Sequence, residues 1–193
     1  MALLVALGVG GIKAAQPPGA PLFIELPPEA LAISEGASGF VVAGSLFSGG
    51  VFHWMPTSGL TALGGTQATA VSADGRTIVG RALNPGGFEE AAIWTGGQTW
   101  RLLGSVRGAR PCDRLVSGSF GASADARVVV GLAWDTCRYA RAFRWEEATG
   151  MVDLGSLSGE STRANSVSGD GRVVVGWEQH QTGFRQGAKW VDG

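Results

Sequence analysis

The chain has 193 residues, 45% of them apolar, and its 15 basic and 16 acidic side chains leave a formal net charge of −1. That balance argues against a nucleic-acid partner, which requires a net basic surface. The length suits one domain with enough apolar material for a core, and 32 glycines suit many tight turns and fit helices poorly.

Taken from the start, residues 2–12 form an apolar run too short to span a membrane and of the length of a signal-peptide core. No Lys or Arg precedes it, and Lys13-Ala14-Ala15 is a poor small-x-small cleavage site. A start assigned too late, or a truncated gene fragment, would account for both; a loosely packed tail is the alternative. Export is the expectation, with residues 16–21 as a Pro-rich linker and residues 22–193 as the domain.

Within that domain one phrase recurs. Residues 70–80, Ala-Val-Ser-Ala-Asp-Gly-Arg-Thr-Ile-Val-Gly, are echoed at 122–131 and 166–176, with a degraded copy at 32–44. The motif closes on Gly44, Gly80, Gly131 and Gly176, and each copy is followed by a tryptophan: Trp54, Trp94, Trp145 and Trp190. The tryptophans lie 40, 51 and 45 residues apart, a period found in propeller blades, solenoids and arrays. Units of about 22–64, 65–104, 105–155 and 156–193 result.

Each unit reads as four short strands. The first ends at Val71-Ser72 or Val167-Ser168 and meets an Asp-Gly turn, a strong hairpin signal. The second is a β-branched run at 77–81, 128–132 or 173–177, which suits a strand covered on both faces. The third carries the tryptophan, at 91–94 and 142–145, and the fourth occupies 100–103 or 151–154. Tryptophan to the Leu of the following Leu-Gly pair is nine residues in all three complete units. From the Leu-Gly glycine to the next motif Ser, by contrast, takes 8, 19 and 13 residues. In an up-and-down sheet these observations put the fixed turns at one end and the variable connections at the other, the usual partition between scaffold and binding surface.

A sheet apolar on both faces cannot bury them alone, so units must stack. The expectation is an all-β, propeller-like array of four-stranded antiparallel blades. The last unit ends after its third strand, and Phe23 to Leu26 reads as an orphan fourth strand that would complete it and latch the termini. Four blades follow; a fragment of a larger propeller and a β-solenoid are the alternatives.

The string at 139–157, Tyr-Ala-Arg-Ala-Phe-Arg-Trp-Glu-Glu-Ala-Thr-Gly-Met-Val-Asp-Leu-Gly-Ser-Leu, followed by Ala164-Asn-Ser-Val-Ser-Gly-Asp-Gly-Arg-Val-Val-Val-Gly176, resembles the HAF-repeat family. Those are predicted extracellular bacterial repeat proteins, some with surface-sorting or autotransporter-type ends. The likeness runs from about Leu22 onward. It departs from the family at the eponymous His, four residues before each tryptophan, where this chain has Gly50, Glu90, Arg141 and Gln186. The resemblance implies an exported propeller-like protein with no defined activity, and lends no support to a histidine-bound metal.

Chemistry is sparse. The four repeated tryptophans at one strand position read as inter-blade packing rather than sugar platforms; Trp100, Trp134 and Trp177, at non-repeating places, are better candidates for an exposed aromatic. The loops of the third unit gather Arg107, Arg110, Asp113, Arg114, Asp135, Arg138, Tyr139 and Arg141 near Trp134. Of these, Trp134, Arg138, Arg141, Arg110 and Asp135 form the candidate ligand-binding set, since Arg presents paired donors to a carboxylate or anionic glycan. Cys112 and Cys137 fall in connections that open at the same end, so a disulfide is expected; closing a loop of about 25 residues contributes roughly 3 kcal/mol in the chain-entropy model.

Glu89-Glu90 and Glu146-Glu147 are adjacent along strands and point to opposite faces, so neither makes an acid/base pair. His53 and His180 stand alone and read as surface residues. Asp74 and Asp170 read as caps of their own turns, and the third copy replaces the turn glycine with Ala126, which costs on the order of 1 kcal/mol if φ is positive. No nucleophile elbow, zinc helix, phosphate loop or calcium loop occurs, so no catalytic residue, metal or cofactor is expected. The leading reading is a non-enzymatic, exported, monomeric scaffold presenting loops at one end to a protein or glycan at the cell surface. A propeller-type glycan hydrolase or lyase and a purely structural segment of a larger surface protein are the alternatives.

Overall fold

The computed structural model describes residues 30–36, 39–46, 49–97, 99–106 and 115–192; 60% of them are strand and none α-helix. Four antiparallel sheets follow one another along the chain. The first holds β1 (Ala30–Gly36), β2 (Gly39–Ser45), β3 (Val51–Met55) and β4 (Gly59–Gly64). The second holds β5 (Gln67–Val71), β6 (Ile78–Leu83), β7 (Glu89–Trp94) and the two-residue β8 (Arg101–Leu102). The third holds β9 (Ser117–Ala122), β10 (Val129–Thr136), β11 (Tyr139–Glu146) and β12 (Gly150–Asp153), and the last β13 (Thr162–Val167), β14 (Val173–Gln179) and β15 (Arg185–Val191). Strands are bonded in chain order within every sheet, the meander the repeat implies, and the last sheet has three strands among the described residues. Phe23 to Leu26, the expected latch, lies outside the described residues.

The sheets stack in chain order, each first strand packing on strands of the sheet before it. Ala43, Val51 and Leu63 of the first sheet meet Ala68, Ile78 and Trp94 of the second. Val79, Ala91 and Ile93 then meet Val129, Phe143 and Trp145, and Val128, Val130 and Ala142 meet Ala164 and Val174, with Trp190 against them. Trp94, Trp145 and Trp190 therefore sit at successive inter-sheet seams, while Trp54 packs on Phe40 at a ring distance of 5.4 Å. A fully buried Val, Ile or Phe contributes about 1.5–3 kcal/mol, and Ile78, Val79, Val129 and Phe143 are all 0% exposed. The end faces differ: Ile33 and Leu60 on the first sheet, and Val175 and Val191 on the last, remain exposed.

The motif glycines have a steric cause. In all four sheets the pairing of the first two strands slips by one residue, making a bulge at Leu31, Thr69, Phe120 or Asn165. Opposite the last three bulges the first strand presses its carbonyl onto the glycine. A Cβ at Gly80 would lie 1.9 Å from the Gln67 oxygen, at Gly131 2.1 Å from that of Gly118, and at Gly176 1.9 Å from that of Arg163. No other residue fits there.

In the last three sheets the turn after the first strand is wider than a two-residue hairpin, because serine and aspartate share its hydrogen bonds. Ser72 Oγ donates to Asp74 Oδ1 (2.5 Å) and accepts from the Thr77 N–H (2.9 Å), while Asp74 accepts the Arg76 N–H (3.0 Å). Ser123 with Asp125 and Ser168 with Asp170 repeat the arrangement. The serine hydroxyl, then the backbone N–H, holds all three carboxyls below the usual range. Ala126 does adopt a positive φ of 54°, the strained geometry its neighbours meet with glycine. The turns also bond to one another across sheets: the Ala73 N–H donates to Ala124 O (2.7 Å), and the Ala124 N–H to Gly169 O (2.9 Å).

Gly80→Ala and Gly176→Ala should each lower the unfolding free energy in urea by more than about 2 kcal/mol. Gly187→Ala, where a Cβ meets open space, should stay within about 0.5 kcal/mol. Equal effects at the three positions would refute the steric account.

Candidate functional site

Antiparallel pairing in chain order puts the serine–aspartate turns and the third-to-fourth-strand turns at one end, and the variable connections at the other. At this second end the β10–β11 hairpin carries the expected cluster. Trp134 and Tyr139 are half-buried, and Arg141 is held rather than presented. Its Nε donates to Asp135 Oδ2 at 2.9 Å, and its Nη1 to the carbonyls of Glu160 (3.0 Å) and Gly159 (3.4 Å). The side chains of Arg141 and Asp135 are 16% and 15% exposed. Arg138 and Arg141 lie over the Tyr139 ring, at 4.9 and 5.3 Å from its centroid. Arg110, Arg107, Asp113, Arg114 and Cys112 lie outside the described residues, and Cys137 is not a free thiol.

In the second and third sheets the position four residues before the tryptophan proves to be a clamp on the connection that follows the fourth strand. Glu90 accepts the Gly104 N–H at 2.8 Å and the Asn84 amide at 3.2 Å; Arg141 holds the carbonyls of 159 and 160 as described. In the last sheet the clamp is one strand over: Glu178 Oε1 accepts from Ser156 Oγ (2.7 Å), the Ser158 N–H (2.8 Å) and Ser158 Oγ (3.0 Å). Those donors, the Ser158 backbone first and against the opposing push of burial, lower the Glu178 carboxyl to about 2. A carboxylate so tightly engaged is a structural acceptor and a poor proton donor at neutral pH.

Several single candidates also resolve into packing. Trp100, expected at the surface, turns its indole N–H onto Leu63 O at 2.9 Å, with its ring over Gly65. His53, also expected at the surface, stands edge-on to Trp94 at 5.6 Å, and burial lowers its imidazole. Glu89 and Glu90 do point apart, Glu89 toward Arg81 (3.4 Å) and Glu90 into its clamp. At the turn end an open cavity of about 330 Å³ lies between the second and third sheets, lined by Thr77, Ala126, Trp145, Glu146 and Glu147 among others. Its carboxylates are taken: Glu147 pairs with Arg101, and Glu146 accepts from Arg144 Nε at 2.8 Å. Among the described residues no group of three His, Cys, Asp or Glu could hold a metal ion, and no helix is long and apolar enough to cross a membrane.

The connection end holds a second constellation that the sequence reading missed apart from Trp177. Three arginines alternate with two rings across the last three sheets, from Arg81 on β6 through Phe120 on β9 and Arg163 on β13 to Trp177 on β14 and Arg185 on β15. Arg81 lies 5.2 Å from the Phe120 centroid and Arg163 4.6 Å from it; Arg163 is also 5.6 Å from Trp177, and Arg185 4.1 Å. The bulge at Phe120 aims that ring between the two arginines. Gly118 leaves room for Arg81, since a Cβ there would meet Arg81 Nε at 2.6 Å. The available signal was positional: Arg81 and Trp177 both directly follow a motif glycine.

No family model and no characterised protein matches the chain. Solved structures do. The crystal structure of TolB from Acinetobacter baumannii superposes with a TM-score of 0.59 at 11% identity, over 84% of this chain and 40% of that one. The structure of putative TolB from Agrobacterium tumefaciens gives 0.57 at 17%, over 83% and 57%. Both are β-propellers, so the class is a propeller-like array. The chain spans about half the length of these structures.

Because the folded Glu178 carboxyl lies below its ordinary value of 4.5, at about 2, its stabilisation is complete above pH 4.5 and is lost as pH falls from 4.5 through 2. Glu178→Gln should lower neutral-pH stability by about 1–3 kcal/mol and flatten the acid limb of a stability-versus-pH curve over that window. An unchanged limb would remove Glu178 from the clamp.

Proposed function

We propose that this chain is a non-enzymatic, exported binding scaffold of the HAF-repeat kind, which presents the connection end of its sheets to a protein or glycan at the cell surface. The observation that carries the reading is the contrast between the two ends. At the turn end serine, aspartate and glycine repeat from sheet to sheet and spend their hydrogen bonds on each other. At the connection end lengths vary, and non-repeating arginines and aromatics gather. A rigid, repeated base with a variable rim suits recognition. The carboxylates at Glu90, Glu146, Glu147 and Glu178 are each bonded to backbone, amide, hydroxyl or arginine donors, which favours binding over hydrolysis. Likeness to the TolB structures adds support for the propeller frame alone.

A glycan array and a cell-surface protein overlay, run with the native chain and with Trp134→Ala/Arg138→Ala, test the reading. Binding by the native chain that falls at least tenfold in the variant is expected. Undiminished binding by the variant would move recognition away from this rim, and cleavage of an arrayed glycan would favour the hydrolase or lyase.

The Cys112–Cys137 disulfide belongs to the same proposal, as a pin on the longest connection in an oxidising compartment. Thiol titration of unfolded, unreduced protein should find no reactive cysteine; two reactive thiols would remove the bridge.

A further inference from the structure

Three guanidinium groups set side by side need a reason, because like charges repel and each loses water on packing. Arg81, Arg163 and Arg185 share the rings of Phe120 and Trp177, and the cation–ring contacts offset part of that cost. What they lack is anions. Among the described ion pairs Arg81 meets Glu89, at a long 3.4 Å, and none reaches Arg163 or Arg185. Arg81 Nε is buried without a hydrogen-bond partner, as is Trp177 Nε1. Burial, then the charges of Arg185 and Arg81, depress the Arg163 guanidinium below its ordinary value. The row therefore concentrates positive charge that, among the described ion pairs, Glu89 alone offsets.

We propose that the row Arg81, Phe120, Arg163, Trp177, Arg185 binds a carboxylate-bearing glycan, its acidic groups seated on successive guanidinium edges. This rests on the scaffold reading above and deepens it. The stacking supports a glycan over a peptide. Protein interfaces take their affinity from apolar anchors seated in pockets, and here both rings are already engaged by arginines. Arg163 spends its Nε on Asn165 Oδ1 at 2.7 Å and Arg81 its Nη1 on Glu89, so what the row offers is the remaining planar guanidinium edges, which match carboxylates two oxygens at a time. The intervening rings separate the guanidiniums in succession, which suits a chain of repeated charges rather than one compact ion.

The test titrates the full chain with polygalacturonate, with its methyl-esterified form and with polyglutamate, by calorimetry and thermal shift. Polygalacturonate should bind and raise Tm, weaken at least tenfold between about 0.05 and 0.5 M salt, and bind at least tenfold better than the ester or polyglutamate. Arg163→Gln should lose binding at least tenfold. Because Arg163 is partly buried, two gentler variants accompany it. Arg185→Gln alters an exposed side chain, and Gly118→Ala displaces the Arg81 guanidinium while keeping its charge; each should weaken binding at least threefold with native Tm in the absence of probe.

No binding by the native chain, or equal binding by the ester, overturns the proposal. So does equal binding by all three variants. Polyglutamate binding as tightly overturns the choice of a glycan. If these fail while Trp134→Ala/Arg138→Ala still abolishes array binding, the scaffold reading stands and the arginine row is structural.

Discussion

A backbone oxygen pressed against a glycine that can bear no side chain sets the terms for this molecule. At Gly80, Gly131 and Gly176 the first strand of a sheet crosses so near the second that a Cβ would lie about 2 Å from a carbonyl oxygen. That approach belongs to a bulge, and a bulge does two things at once. It bends the strand that packs against the neighbouring sheet, and it turns one side chain, Leu31, Thr69, Phe120 or Asn165, out of the alternating pattern. The glycine recurs because the geometry recurs. The residue at the bulge varies because the geometry leaves it free.

Stacking then decides what is rigid. A sheet alone would leave the Val, Ile and Trp side chains of both faces wet, so each sheet leans on the next, and the end faces keep Ile33, Leu60, Val175 and Val191 exposed. Backbone bonds from Ala73 to Ala124 and from Ala124 to Gly169 tie the turns of successive sheets together. At the opposite end, equivalent places hold side chains of unlike chemistry. Glu90 and Arg141, at one repeat position, both fasten the connection behind their sheet, the first by accepting an N–H and the second by donating to carbonyls. Charge can invert at a position whose task is to hold a backbone, because a peptide group offers both a donor and an acceptor.

Much of the fold was legible. The recurrent Ser-x-Asp-Gly turns, β-branched second strands and evenly placed tryptophans gave four meandering sheets in the right places, and Asp74 and Asp170 cap their turns as their type suggests. Less was legible at the sites. Trp100 and His53 look exposed from position alone, yet both fill inter-sheet seams, since what covers a side chain is set by a neighbour some 40 residues away. Arg141 reads as a ligand donor, but Asp135 and the loop carbonyls consume it. The arginine row was invisible for the same reason: Arg81, Phe120 and Arg163 are far apart in sequence and belong to three different sheets.

Sequence by itself determined the local periodicities: strand, turn and unit length, and which end of every sheet is constant. These depend on steric and hydrogen-bonding demands within a few residues, so each repeat states them afresh. Only the tertiary structure decided which side chains of different units meet, which donors and acceptors are consumed internally, and which charges stand together without a partner. Those outcomes depend on the twist and register between stacked sheets, a sum over contacts that no single unit contains.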